Sequence, residues 1–118
     1  MYDGIWFITV GILEIILGFP LFLKKIPPNR IYGFRTRALR NNTNLWYKIN
    51  RICGKYLILS GILLVILNII LLIAIDDISP EIKRIVAILF MLFSLIAITI
   101  RCIILSNIEN NNFSERKS

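Results

Sequence analysis

Histidine is absent from the sequence, cysteine occurs only twice, and acidic residues are half as many as basic ones, 7 against 14. Histidine is the commonest general acid and base, so its absence argues against a catalytic centre of the usual kind. The two cysteines without histidine are too few for a convincing metal site. We therefore expect no catalytic residues, no bound metal and no cofactor.

Charge is also scarce over three long apolar runs, which cover residues 5–23, 57–75 and 85–105 and contain only Glu14 and Arg101 as charged residues. A membrane-spanning helix needs about 20 mostly apolar residues. The hydrophobic fraction of 57% excludes an ordinary soluble domain, which would expose apolar surface. Lipid offers no partners to strand edges, and three strands cannot close a barrel. We predict an all-α integral membrane protein whose three transmembrane helices form a single domain over residues 1–106.

The distribution of positive charge predicts the orientation of these spans. The loop 24–56 contains nine Lys or Arg and no Asp or Glu. Because positive loops stay in the cytoplasm, we expect the N-terminus outside, and the loop and the C-terminus inside, in a multi-pass protein of the cell membrane. The first span lacks the preceding basic residues of a signal peptide and is expected to remain as a helix. Residues 107–118 are polar and are predicted to form a disordered cytoplasmic tail.

Both cysteines, Cys53 and Cys102, fall at the cytoplasmic end of the predicted bundle. A reducing compartment opposes disulfide formation. We expect two buried free thiols.

Small and polar residues recur at intervals of seven in every span. Such a repeat keeps one face of a helix toward its neighbours, and small residues on that face let membrane helices approach closely. We predict a compact three-helix bundle with a slightly polar seam. The repeats comprise Gly4, Gly11 and Gly18, then Gly54, Gly61 and Asn68, then Ala87, Ser94 and Arg101.

Glu14 falls near the predicted membrane midplane, where a lone ionised carboxylate is costly. One interpretation is a protonated Glu14 that hydrogen-bonds to Asn68 as an internal staple. A second makes Glu14 a proton-binding or substrate-sensing group, and a third turns it toward lipid or another copy of the chain. Arg101 lies about 9 Å below the centre of its span, so its long side chain could close much of that gap.

The basic loop divides into two parts near Thr43. The prolines at positions 27 and 28 exclude a continuous helix in the first part. The second part has the pattern of an amphipathic helix with an Asn or Thr cap. This helix is predicted either to lie at the cytoplasmic membrane interface or to run directly into the second span. Its basic side carries Lys48, Arg51 and Lys55.

The loop's positive charge would attract anionic lipid headgroups, which are its simplest expected partners. We expect no nucleic acid partner, because the loop is tied to the membrane. The arginines alternate with Gly, Thr, Asn and aromatic residues, a pattern more demanding than lipid adhesion requires. Arginine is suited to bidentate recognition of carboxylate or phosphate. The residues alone leave a ligand site and internal architecture equally open.

The stretch NRIYGFRTRALRNNTNLWYKINRICGKYLI resembles the signature of the SdpI-type immunity protein family. The best-known member of that family is longer, with additional membrane helices ahead of this unit, and this chain resembles only its motif-bearing C-terminal part. The resemblance implies a ligand-binding or partner-binding motif between two membrane spans. The pattern N-R-x-x-G-x-R-T matches Asn29, Arg30, Gly33, Arg35 and Thr36. The pattern W-x-K-x-[HN]-R-x-x-G-K matches Trp46, Lys48, Asn50, Arg51, Gly54 and Lys55.

The resemblance implies resistance to a secreted peptide toxin and retention of a cytoplasmic repressor at the membrane. The candidate partners are then the toxin, a cytoplasmic regulator and a second copy of the chain. The alternative is a membrane assembly module, acting as a homo-oligomer or accessory subunit without resistance activity. We do not expect an enzyme, because the loop lacks a nucleophile–base pair.

Overall fold

The computed structural model describes residues 4–29, 31–34, 39, 42–73 and 78–117. Within these residues the chain forms three helices, α1 (Gly4–Phe22), α2 (Thr43–Ile73) and α3 (Pro80–Lys117). Each is long and apolar enough to cross a membrane. The predicted all-helical class with three potential spans is confirmed. The end of the molecule where α1 stops and α2 starts is called the loop end below.

Paired glycines bring α1 and α2 into close contact. Gly11 lies against Gly61, and Gly18 lies against Gly54. A Cβ atom added to Gly11 would lie 2.8 Å from the Gly61 carbonyl oxygen, and one added to Gly54 would lie 2.6 Å from that of Gly18. Real Cβ atoms do not approach an oxygen so closely, so the two antiparallel helices depend on glycine at these positions.

The opposite side of α2 contacts α3 more sparsely. The Ser60 hydroxyl donates to Ser94 Oγ at 3.1 Å, and Lys48 Nζ lies 2.8 Å from Glu109 Oε2. Among the described residues α1 and α3 make almost no contact with each other. The prediction of a compact bundle in which all the helices meet is therefore corrected: α2 lies between α1 and α3.

The heptad faces are confirmed for α1 and α2, whose glycines at these positions are buried. On α3 the pattern holds at Ala87, which is fully buried, but Arg101 is exposed and its neighbour Cys102 is buried. A straight α-helix drifts by about 20° for each heptad, which carries Arg101 to the edge of the contact face. Its predicted place on the seam is wrong.

The amphipathic segment after Thr43 continues without a break into the second span, which was one of the two predicted arrangements. Asn42 caps this helix, because its side-chain oxygen accepts a hydrogen bond of 3.1 Å from the Leu45 amide. At the preceding boundary, Lys24 has a φ of 60° and ends the helical path of α1.

The C-terminal segment differs from the predicted disordered tail, because α3 continues as a helix to Lys117. No glycine or proline interrupts the sequence after Pro80. The ion pair between Lys48 and Glu109 also ties this extension to the start of α2. Local helix propensity and this long-range contact outweigh the polar composition.

The cysteines form the disulfide Cys53–Cys102, so the prediction of free thiols is wrong. The antiparallel packing of α2 on α3 brings the two Cα atoms to 6.2 Å, within the usual range for a disulfide. Both side chains are buried at the loop end. The prediction considered only the compartment, whereas the helix register decides which cysteines meet.

Candidate functional site

The two sequence motifs meet at the loop end, where the chain after α1 folds onto the first turns of α2. The structure divides the motif residues into a buried group and an exposed basic group. Arg30, Arg35 and Thr36 lie outside the described residues. The buried or partly buried group comprises Asn29, Gly33, Trp46, Asn50 and Gly54, and the exposed group comprises Lys48, Arg51 and Lys55.

Asn50 is the centre of the buried group and is only 2% exposed. Its side-chain oxygen accepts a hydrogen bond of 2.6 Å from the Phe34 amide. Its side-chain nitrogen donates to the carbonyl oxygens of Phe34 at 3.1 Å and Trp46 at 3.0 Å. The side chain thus pairs with the loop backbone as a neighbouring strand would, which fixes Phe34 against α2.

Gly33 precedes this contact and has a φ of 105°, a conformation that residues with a Cβ rarely adopt. An added Cβ would lie 3.0 Å from Asn50 Oδ1 and 3.2 Å from Trp46 Cζ2. Both the backbone conformation and the available space therefore require glycine here.

Trp46 holds an earlier part of the loop and is 1% exposed. Its indole N–H donates to the Ile26 carbonyl oxygen at 2.9 Å. The ring belongs to the main buried cluster of the loop end, so one side chain links the loop to the core on α2. The cluster also contains Leu39, Leu45, Ile49, Cys53 and Cys102.

Asn29 organises the turn between these two anchors. Its side-chain oxygen accepts hydrogen bonds from the amides of Ile31 at 2.9 Å and Tyr32 at 2.7 Å. The Tyr32 hydroxyl donates to the Leu17 carbonyl oxygen on α1. Burial raises the pKa of the Tyr32 phenol above its usual range.

The residues Tyr32, Phe34 and Leu39 were missed by the sequence reasoning, although they contribute to this fold. The available signal was their place between the matched motif positions. Gly54, in contrast, serves the contact of α2 with α1 and lies against the Gly18 carbonyl. The motif positions of the buried group are therefore internal architecture.

The exposed basic group lies along the start of α2. Lys48 pairs with Glu109, and the Arg51 guanidinium carbon lies 5.3 Å from the centroid of the Phe22 ring. Lys55 makes no ion pair or hydrogen bond with any residue that the structure describes. These cations are accessible to an anionic partner.

Glu14 is buried between α1 and α2, with an exposed fraction of 6%. The Ser60 hydroxyl is close enough to interact with its carboxyl group, but neither carboxyl oxygen reaches hydrogen-bonding geometry with a described residue. Asn68 donates instead to the Leu64 carbonyl oxygen at 2.8 Å. The predicted Glu14–Asn68 staple is wrong, because Asn68 lies two helical turns beyond Gly61, toward the opposite end of α2. Burial also excludes a lipid-facing Glu14.

Arg101 does not reach Glu14. It lies at the α2–α3 boundary beside Tyr56, where it lines an open groove.

Residues 25–106 match the model of the SdpI/YfhL protein family, a region that holds the loop, α2 and most of α3. The chain belongs to this family. It is 39% identical over 57 residues to a Bacillus subtilis (strain 168) protein named "Uncharacterized protein YfhL". That match covers 46% of this chain and 50% of the relative, so the chain spans about half the length of the curated relative it matches. No solved structure matches the chain.

Family membership confirms the resemblance seen in the motifs. Together with the three apolar helices, membership indicates a multi-pass membrane protein of SdpI type.

Proposed function

We propose that this protein protects a cell against a secreted peptide toxin that acts on the membrane. Membership of the SdpI/YfhL family carries this proposal, because the matched region includes both motifs and the helix that presents them. The buried motif residues hold the loop on α2, and this fold fixes the positions of the exposed cations. The protein then acts by binding and not by catalysis.

In this proposal the loop end faces the cytoplasm, since the loop carries nine basic residues and no acidic ones. The disulfide at this end is buried, which shields it from the reductants of that compartment. The exposed basic group is the surface for a cytoplasmic regulator such as a repressor. Its side chains stand on a rigid helix, which suits recognition of an acidic surface better than a flexible polybasic chain would.

Survival of a toxin-sensitive bacterium that expresses the protein tests the main proposal. The challenge uses secreted peptide toxins, including any encoded beside the protein's own gene. Wild type is expected to protect at a membrane level verified by immunoblot. Arg51→Gln combined with Lys55→Gln is compared with Lys25→Gln, which removes an exposed cation of the same end outside the matched motif positions. Equal protection by all variants would remove the basic group from the mechanism.

Glu14 remains a candidate proton-binding group in this scheme, because it is buried without a hydrogen-bond partner among the described residues. Glu14→Gln keeps the side chain's shape and removes its titratable proton. Loss of protection with normal membrane levels would support a role for the proton. Full protection would leave Glu14 with a packing role.

The second candidate function is a membrane assembly module, and the exposure of α3 favours it. In the most apolar 18-residue stretch of α3, only 6% of the residues are buried within the chain, against 28% in the corresponding stretch of α2. The outer face of α3 is therefore available to a second copy or to another membrane subunit. Cross-linking in native membranes that yields only monomer would count against this function.

A further inference from the structure

Arg101 occupies an unusual place in the apolar part of the molecule. It is the only charged residue in the run 85–105. Its neighbour Cys102 is joined to Cys53, so Arg101 lies level with the segment of α2 where the basic loop gives way to the apolar run. A membrane that covers the apolar runs would place its lipid headgroups at this level.

A groove opens beside Arg101, between α2 and α3. It has a volume of about 430 Å³ and is lined by Tyr56 on α2 and by Ala97, Ile98 and Arg101 on α3. Ala97 and Ile98 lie one helical turn from Arg101 on the side of the membrane midplane. The groove therefore joins a cation at headgroup level to an apolar surface at the depth of the acyl chains.

Arg101 lacks the intramolecular partners that neighbouring cations have. Lys48 pairs with Glu109, and Arg51 stacks on Phe22. Arg101 is exposed and makes no ion pair or hydrogen bond with any described residue. A guanidinium at the membrane boundary needs a counter-ion, and the phosphate of a phospholipid is the anion present at that depth.

We propose that this groove binds one anionic phospholipid, with its phosphate on Arg101 and an acyl chain along Ala97 and Ile98. The planar guanidinium binds phosphate in a bidentate manner, and the Tyr56 ring belongs to the aromatic zone at the headgroups. An anionic lipid is favoured over a zwitterionic one, because no second cation on its own headgroup offsets the phosphate. The site is distinct from diffuse attraction to the loop, and it does not depend on toxin resistance.

Native mass spectrometry of the full-length protein in a mild detergent tests the site. Phosphatidylglycerol and phosphatidylcholine with identical acyl chains are titrated separately. Wild type is expected to bind one phosphatidylglycerol about fivefold more tightly than phosphatidylcholine, the preference that one interfacial cation supplies. Arg101→Gln is expected to remove this preference, and Arg101→Lys to retain part of it. Lys25→Gln is the matched control and is expected to keep it, because Lys25 is exposed on the loop and does not line the groove.

A variant that fills the groove but keeps the charge of Arg101 tests the role of the groove by itself. Ala97→Leu fills the groove and is expected to weaken phosphatidylglycerol binding while Arg101 is unchanged. This variant decides the question if Arg101→Gln does not fold, as judged by size-exclusion chromatography. Wild-type binding by Ala97→Leu would overturn the proposal. Equal losses in Arg101→Gln and Lys25→Gln would also overturn it, as would displacement of the lipid by inorganic phosphate at the same concentration.

Discussion

The two sides of α2 are built in different ways. Toward α1, glycines face glycines and the backbones touch, whereas toward α3 the contacts among the described residues include a serine pair, an ion pair, one disulfide and the packing of Ile98 and Leu105 on the buried cluster. Close backbone packing replaces lipid contacts with many protein contacts, and it tolerates no added side chain. The α1–α2 pair with its folded loop is therefore the rigid unit, and α3 leaves a groove and an exposed outer face.

The largest effect is expected from disrupting the glycine contact between α1 and α2. Gly54→Val places atoms where the Gly18 carbonyl lies, and overpacking of this kind costs about 3 kcal/mol or more. Unfolding in mixed detergent, followed by circular dichroism, measures the loss. Ala97→Val enlarges a side chain that lines the open groove between α2 and α3, and it is expected to have little effect on stability. Equal destabilisation by the two variants would contradict the difference between the interfaces.

A second test removes the hydrogen bonds by which Asn50 holds the loop on α2. Asn50→Ala leaves the backbone groups of Phe34 without their partners, at a cost of about 1–3 kcal/mol. Hydrogen exchange at the Phe34 amide is expected to rise strongly. Asn44→Ala, at an exposed position six residues earlier on the same helix, is the matched control and is expected to leave exchange unchanged. A protected Phe34 amide in Asn50→Ala would contradict the assigned anchor.

A smaller effect is expected at Gly33. Gly33→Ala forces a residue with a Cβ into a positive φ, which costs about 1–2 kcal/mol. The change also crowds Asn50 and Trp46. Thermal unfolding and exchange at Phe34 should both respond, by less than in Asn50→Ala. Wild-type stability would mean that the loop adopts another conformation in solution.

The smallest effect is expected for the Lys48–Glu109 ion pair between α2 and α3. Lys48→Ala, Glu109→Ala and the double variant form a cycle that measures the coupling between the two groups. Because both side chains are partly exposed, at 56% and 28%, the coupling should remain below about 1 kcal/mol. A much larger coupling would show that the α3 extension is part of the rigid unit.

The sequence was sufficient to predict the helices, because long apolar runs permit little else in a membrane. It also predicted the glycine faces of α1 and α2 from their spacing. It could not decide the role of the motif, since the pairing of Asn50 with Phe34 joins residues that are distant along the chain. The same holds for Cys53 with Cys102, and for Glu14 with its neighbours, because each depends on the register between helices. Arg101 lies outside the contact face of α3 because a straight helix rotates slightly with each seven-residue repeat, which composition does not show.

We propose that a loop held rigidly on α2 presents a basic surface required for toxin resistance. The most direct measurement is survival under toxin challenge of cells with matched membrane levels of wild type, Asn50→Ala and Asn44→Ala. We expect protection by wild type and Asn44→Ala and its loss in Asn50→Ala. Protection by Asn50→Ala, or no protection by wild type against any toxin tested, would contradict it.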